Sequence, residues 1–237
     1  MLTGNYFIDA LSQRTEQKLV PRLEPVRLRK GRSLYLQEQS VDQIYFPVGA
    51  VISEYRVTED GNLAEVLVTG KEGAVGLAAL NDSGEAANSC AVLIGGLAWK
   101  IPPLSLASVL EAEPEIASDL MRLLDLQSKR LARKMICDRY HSVEQRLCTW
   151  LLGLADRTGR TQFNISHSEA ARALGVYRAT ITEALHSLRD RGAMKLARMS
   201  VAILDLPAAE AIACECRLSF PVQPKEKLPA SQRRYAA

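Results

Sequence analysis

Apolar and polar residues change their spacing twice along this 237-residue chain. Residues 3–20 read as a short helix ahead of Pro21. From Val26 to Ile101 the texture is strand-like: LRKGRSLYL, VDQIYFPVGAVISEYRV, LAEVLVTG and AVLIGGLAWKI read as β-rich stretches broken by glycines. Asp60-Gly61, between VISEYRVT and LAEVLV, has the residue types that a tight hairpin needs. Several short strands with closely spaced turns predict an antiparallel sandwich or barrel.

After Pro102-Pro103 the period becomes helical. Pro114 suits a first helical turn, and Ile116, Leu120, Leu123, Leu124, Leu131 and Met135 recur every three to four residues. The spacing predicts a helix of about 22 residues, roughly 33 Å long, that breaks near Asp138. Its apolar positions cover more than one stripe, which suits a coiled-coil dimer seam built from Leu120, Leu123, Leu124 and Leu131. A helix buried within one chain explains the same pattern nearly as well. Ser142-Val-Glu-Gln145 and Ser166-His-Ser-Glu169 are capping boxes, each opening a further helix. The first buries Val143, Leu147, Trp150, Leu151 and Leu154; the second runs through Leu174. A helix over 178–190 follows, then MKLARMSVAILDL as two short strands, then a polar, proline-containing tail over 221–237 that is expected to be disordered.

Two short helices joined at Gly175 suggest a helix-turn-helix. Ala170 and Ala171 allow close approach, Leu174 fills the first core position, and Gly175 takes the positive φ of the turn. Val176, Ile181, Ala184, Leu185 and Leu188 bury the second helix. If that helix enters a major groove, its outward residues include Arg178, Ala179, Thr182, Glu183 and His186. Arg178 can give two hydrogen bonds to guanine, Glu183 can accept from cytosine, and Thr182 can meet a thymine methyl or a phosphate. Glu183 reads equally well as a surface partner of a nearby arginine. Ser166, His167, Tyr177 and Thr180 stand at helix starts, where hydroxyls and backbone amides suit phosphate oxygens. Ser166 reads equally well as a cap alone. Lys195 and Arg198 would reach the DNA backbone from the wing.

Charge supports this division. Residues 1–113 hold 10 Lys+Arg and 14 Asp+Glu, a balance of −4, whereas residues 121–200 hold 15 and 7, a balance of +8. The second half would attract a polyanion. No run of 18 apolar residues exists, and the N-terminus lacks a basic region followed by an apolar one, so a cytoplasmic protein without a membrane partner is expected. The five cysteines are odd in number and scattered, which argues against a disulfide framework. Cys214-Glu215-Cys216 is the one close pair; with no second pair and no histidine near it in sequence it makes a poor zinc site, and no metal is expected. No nucleophile–base set, GxSxG or phosphate loop suggests an enzyme.

The order of parts, together with LEPVRLRKGRSLYLQEQSVDQIYFPVGAVIS, KEGAVGL, HSVEQRLCTWLL and LGVYRATITEALHSLRDRGAM, resembles the Crp/Fnr family of bacterial transcription regulators over roughly residues 7–218. The resemblance implies an α+β fold: an N-terminal antiparallel, jelly-roll-like β-roll of cyclic-nucleotide-binding type over 1–113, a long dimerisation helix over 114–137, and a winged helix-turn-helix over 138–220. It further implies a homodimer reading a palindromic promoter site in double-stranded DNA, with half-sites about 34 Å apart, and RNA polymerase as a candidate further partner. The effector pocket would involve Gly76, Leu77, Asn88 and Ser89.

The sequence also departs from the family pattern. Leu77 stands where cyclic-nucleotide-binding members carry a ribose-binding glutamate, and Glu85-Ala-Ala-Asn-Ser89 lacks their phosphate-binding arginine. No arginine lies between Arg56 and Arg122, and Lys71 is a poor geometric substitute. Cyclic AMP is therefore not the expected effector, and the cofactor is unknown. No cysteine precedes Cys90, so the iron–sulfur cluster of redox-sensing members is not expected, and no histidine precedes His141 to hold haem. On the recognition helix Ala179 and Glu183 replace a glutamate and an arginine, and the wing turn Ala197-Arg-Met-Ser200 lacks glycine. The alternative is a small-molecule-binding signalling module whose helix-turn-helix mediates protein contacts.

Overall fold

A computed structural model describes residues 2–11, 13–197 and 199–217. The tail over 221–237 and the wing residue Arg198 lie outside the described residues. The chain opens with two short helices, α1 (Tyr6–Asp9) and α2 (Gln13–Leu19), rather than one helix over 3–20. Buried Asn5 explains the start of α1. Its side-chain oxygen accepts from the Phe7 and Ile8 amides at 3.1 and 3.2 Å, while its NH2 donates to the Pro47 and Gly73 carbonyls at 2.8 and 2.9 Å. The cap thus fixes α1 against the strands, and the chain turns at Ala10 and Leu11 before α2 begins.

Strands β1 (Glu24–Leu28), β2 (Ser33–Tyr35), β3 (Ile44–Pro47), β4 (Val51–Val57), β5 (Leu63–Thr69), β6 (Ser89–Ile94) and β7 (Gly96–Ile101) form two antiparallel sheets, ordered β1-β7-β3 and β2-β6-β4-β5. The β4–β5 hairpin turns through Asp60-Gly61, with Gly61 at φ +77°. Gly96 cannot carry a side chain: a Cβ there would lie 2.3 Å from the Gly49 carbonyl carbon. Leu28, Tyr45, Ile52, Val75, Cys90 and Val92 fill the roll.

Helices α3 (Pro103–Ala112) and α4 (Glu115–Tyr140) follow. The 26 residues of α4 carry it about 39 Å, past the break expected near Asp138. Asp138 sits within the helix, paired with Lys134 one turn earlier at 3.1 Å and with Arg146 of the next helix at 2.7 Å. The stop falls at His141, whose extended backbone leads into the Ser142 cap.

The C-terminal unit contains α5 (Val143–Thr158), β8 (Gln162–Phe163), α6 (His167–Leu174), α7 (Arg178–Asp190), β9 (Met194–Ala197), β10 (Ser200–Ile203), α8 (Leu206–Ile212) and a 3-10 turn, Glu215–Arg217. Its small sheet has the order β8-β10-β9. The core of Leu147, Leu151, Phe163, Ile181, Leu185 and Leu188 runs on into the roll through buried Val51, and Val68, Leu93 and Ile94 pack against it. The helical unit is therefore seated on the β-roll by an apolar seam as well as by α4. Among the described residues no helix is long and apolar enough to cross a membrane.

Candidate nucleic-acid interface

Local chemistry builds the helix-turn-helix. The Ser166 hydroxyl accepts from the Glu169 amide at 3.2 Å, and the Glu169 carboxylate accepts from the Ser166 amide at 2.7 Å, which completes the capping box of α6. At the far end Gly175 adopts φ +64°, and the Val176 amide donates back to the Ala171 carbonyl at 3.1 Å. Ala170, Ala171 and Ala173 are buried against α7, which inserts Ile181, Ala184, Leu185 and Leu188. The N-terminus of α7 differs: Tyr177 occupies the cap position without a side-chain hydrogen bond to the helix. The first amides of α7 are thus free of any side-chain cap and carry the positive end of the helix dipole.

Around that open end the sequence candidates divide. Arg178, Ala179, Glu183 and His186 are exposed, and Arg178 and Glu183 form no ion pair among the described residues. Tyr177 is 86% exposed and Thr180 is half-buried. Thr182 corrects the sequence reading, because its hydroxyl is already engaged. It donates to the Arg178 carbonyl at 3.0 Å and meets His167 Nδ1 at 2.9 Å, so it ties α6 to α7. His167 is correspondingly half-buried. Burial, helped by the positive charge of Arg178 and by His186, holds its imidazole below the usual value, so the ring is neutral near pH 7. Ser166 is committed to its capping box. Lys195 is exposed on β9, and the wing turns at Met199, which takes φ +60° where glycine would be relaxed.

Polar contacts that the sequence did not reveal fix this motif to the roll. Lys30 Nζ pairs with Glu169 at 2.8 Å and also donates to the Asn164 carbonyl. Trp150 Nε1 donates to Glu65 Oε1 at 3.0 Å, and the Ser53 hydroxyl donates to Glu65 Oε2 at 2.6 Å. Burial pushes the Glu65 carboxyl up to about 7, against those hydrogen bonds. Buried Glu72, in the turn after β5, holds Arg157 at 2.8 Å and Arg130 at 3.3 Å, which joins that turn to α4 and α5. None of these partners is near the other in sequence, so no local spacing could have paired them.

The proposed effector residues are only partly brought together. Gly76 lies at φ +88°, opening a 3-10 turn, and its backbone reaches the Tyr35 hydroxyl. Asn88 hydrogen-bonds Glu54, and burial pushes that carboxyl up to about 7. The Ser89 hydroxyl accepts from the Gln37 amide at 2.9 Å. Leu77 is a correction: it packs with Ala79 and Leu80 against the core that holds α1, α3 and α4, because the 3-10 turn faces that layer. On α4, Leu120 and Leu123 are likewise corrected. They are only 7% and 3% exposed and pack on Phe7, Phe46 and Leu106 of their own chain, so they cannot form an open seam. Leu124 is 43% exposed, Leu131 is half-buried, and Met121 and Met135 continue the same open stripe. Finally, the expectation of no metal rested on Cys214-Glu215-Cys216 lacking neighbours. In the fold Cys137 and His141 join it, and four ligand atoms lie within 4.8 Å of one another.

Comparison with known proteins agrees with this architecture. Residues 145–212 match the Crp-like helix-turn-helix domain family. Over 194 residues the chain is 25% identical to the CRP-like cAMP-activated global transcriptional regulator of Mycobacterium tuberculosis, covering 79% of this chain and 87% of that protein. A CRP-family transcriptional regulator of Thermus thermophilus has the same fold, with a TM-score of 0.67, 22% identity, and coverage of 79% of this chain and 96% of that one. The c-di-GMP-responsive global regulator CLP of Xanthomonas campestris superposes with a TM-score of 0.67 at 16% identity, over 82% of this chain and 100% of that one. Residues 145–212 thus form a Crp-like helix-turn-helix domain, and the chain shares the fold of CRP-family transcriptional regulators.

Proposed function

We propose that the protein binds a two-fold-symmetric promoter site as a homodimer, with α7 lying in the major groove. The observation that carries this is the contrast on α7: Ile181, Leu185 and Leu188 are buried, while an uncapped N-terminus and unpaired Arg178 face outward. Arg178, Glu183 and His186 read base edges, Arg178 by two hydrogen bonds to a guanine. Tyr177, Thr180 and Lys195 hold phosphates, and Thr182 acts through its methyl and through its positioning contact with His167. The open stripe of Met121, Leu124, Leu131 and Met135 on α4 supplies the dimer seam. Such a regulator works in the cytoplasm, where promoter DNA and RNA polymerase are.

Cyclic AMP is not the effector. Leu77 packs on the core under α1, α3 and α4 and offers no acceptor to a ribose hydroxyl, and no arginine lies between Arg56 and Arg122 to clamp a cyclic phosphate. An iron–sulfur cluster is likewise not part of the sensory domain. The test is selection of bound genomic fragments by the native protein, followed by a salt titration on the selected site. A palindromic site, dimer stoichiometry, and affinity falling steeply with salt are expected. Affinity that ignores salt, with no preferred fragment, would favour the protein-contact alternative.

A further inference from the structure

We infer that Cys137, His141, Cys214 and Cys216 form a zinc site that clamps the end of α4 to the C-terminal turn of the DNA-binding unit. Cys137 lies in the last turn of α4, and His141, four residues on, is the residue at which the helix stops. Cys214 follows α8 and Cys216 lies within the 3-10 turn. The chain thus delivers two ligands from each of two places, 77 positions apart between Cys137 and Cys214. The Sγ atoms of Cys137 and Cys214 are 3.5 Å apart, and Cys216 Sγ is 3.6 Å from His141 Nδ1. Bonds of about 2.3 Å from zinc to sulfur and about 2.0 Å to nitrogen imply tetrahedral edges of about 3.8 Å between sulfurs and about 3.5 Å from sulfur to nitrogen. All four donors lie within 4.8 Å of one another, so the four need only small adjustments to surround one ion.

The surroundings are those of a ligand set. His141 points Nδ1 at the sulfurs, while its Nε2 meets the Glu215 carboxylate at 3.2 Å. A carboxylate on the far ring nitrogen fixes the tautomer that leaves the near nitrogen free to ligate. The Thr149 hydroxyl accepts from the Cys214 amide at 3.1 Å and lies 3.0 Å from Cys214 Sγ, where it can donate to a thiolate. The three cysteines are buried, and Arg133, Arg146 and Arg217 line the same groove. Three thiolates and a neutral imidazole on a divalent ion leave one negative charge; Arg146 and Arg217 are paired with Asp138, Asp156 and Glu210, and Arg133 is the guanidinium of this groove that also acts on Glu215. On binding, each thiol loses its proton to solvent as its zinc–sulfur bond forms, and no electron is transferred. A closed Cys3His set, with no position for water, marks a structural rather than a catalytic ion. The site stands whether or not α7 binds DNA.

The full-length protein, purified without chelator from zinc-supplemented cells, is expected to carry about one zinc per chain by plasma mass spectrometry. Exchange for Co2+ is expected to give sulfur-to-cobalt charge-transfer bands and tetrahedral ligand-field bands. Cys216→Ser and His141→Ala lose the ion, whereas Glu215→Ala keeps the stoichiometry and weakens affinity by about 10–100-fold. Should the cysteine or histidine variant fail to fold, the wild-type metal content and cobalt spectrum still decide. A wild-type chain that holds no zinc after dialysis against the ion, and shows no thiolate bands with cobalt, overturns the proposal. So does a Cys137–Cys214 disulfide in the freshly isolated protein.

Discussion

Helices α6 and α7 meet at one glycine, yet their N-termini are opposite in kind. In α6 the capping box satisfies the end internally, and Lys30 neutralises the capping carboxylate from the roll. In α7 the cap position holds Tyr177, whose side chain makes no hydrogen bond to the helix, and Arg178 beside it has no ionic partner among the described residues. A cap position without a side-chain acceptor forgoes about 1 kcal/mol of stability that a serine or aspartate there would supply. The end of α6 is closed by its own side chains, whereas the end of α7 is open, as the proposed contact with DNA phosphates requires.

The largest effect is expected in the core that both helices share. Leu185→Ala should cost about 2–5 kcal/mol, seen as a lower midpoint in thermal or urea denaturation, and should abolish DNA binding with it. Arg178→Ala should leave that midpoint unchanged and remove about 1–3 kcal/mol of discrimination between the selected site and a site altered at one base; gel-shift titrations on both sites measure it. Ser166→Ala should do the reverse, losing about 1 kcal/mol of stability with little change in base preference. The smallest effect concerns His167. Its folded value lies below the ordinary 6.5, so the unfolded chain takes up the proton first and stability falls as pH drops through and below 6.5. His167→Gln should flatten that part of a stability-against-pH curve.

The helix-turn-helix was legible because its signals are local. Ser166 and Glu169 lie three residues apart, Gly175 marks the turn, and Ile181, Leu185 and Leu188 recur at helical spacing. The roll was legible as a class from its short strands and glycines. What escaped was set by tertiary contact. Nothing in the spacing of α4 says that Leu120 and Leu123 turn inward while Leu124 does not, since apolar residues surround much of that helix. Thr182 resembles a free hydroxyl until His167 is seen beside it. The pair Cys214 and Cys216 looks isolated because its partners stand on a helix laid down much earlier in the chain.

Lys30 has a consequence for how the halves of the molecule can move. The backbone connects roll to helix-turn-helix through α4 and α5, while Lys30 joins them again at Asn164 and Glu169. The two links close a ring, and a ring has no free end. Turning at the junction near His141 would lengthen the Lys30 contact as well as disturb the seam at Val51, and releasing that contact exposes the carboxylate on which the first turn of α6 depends.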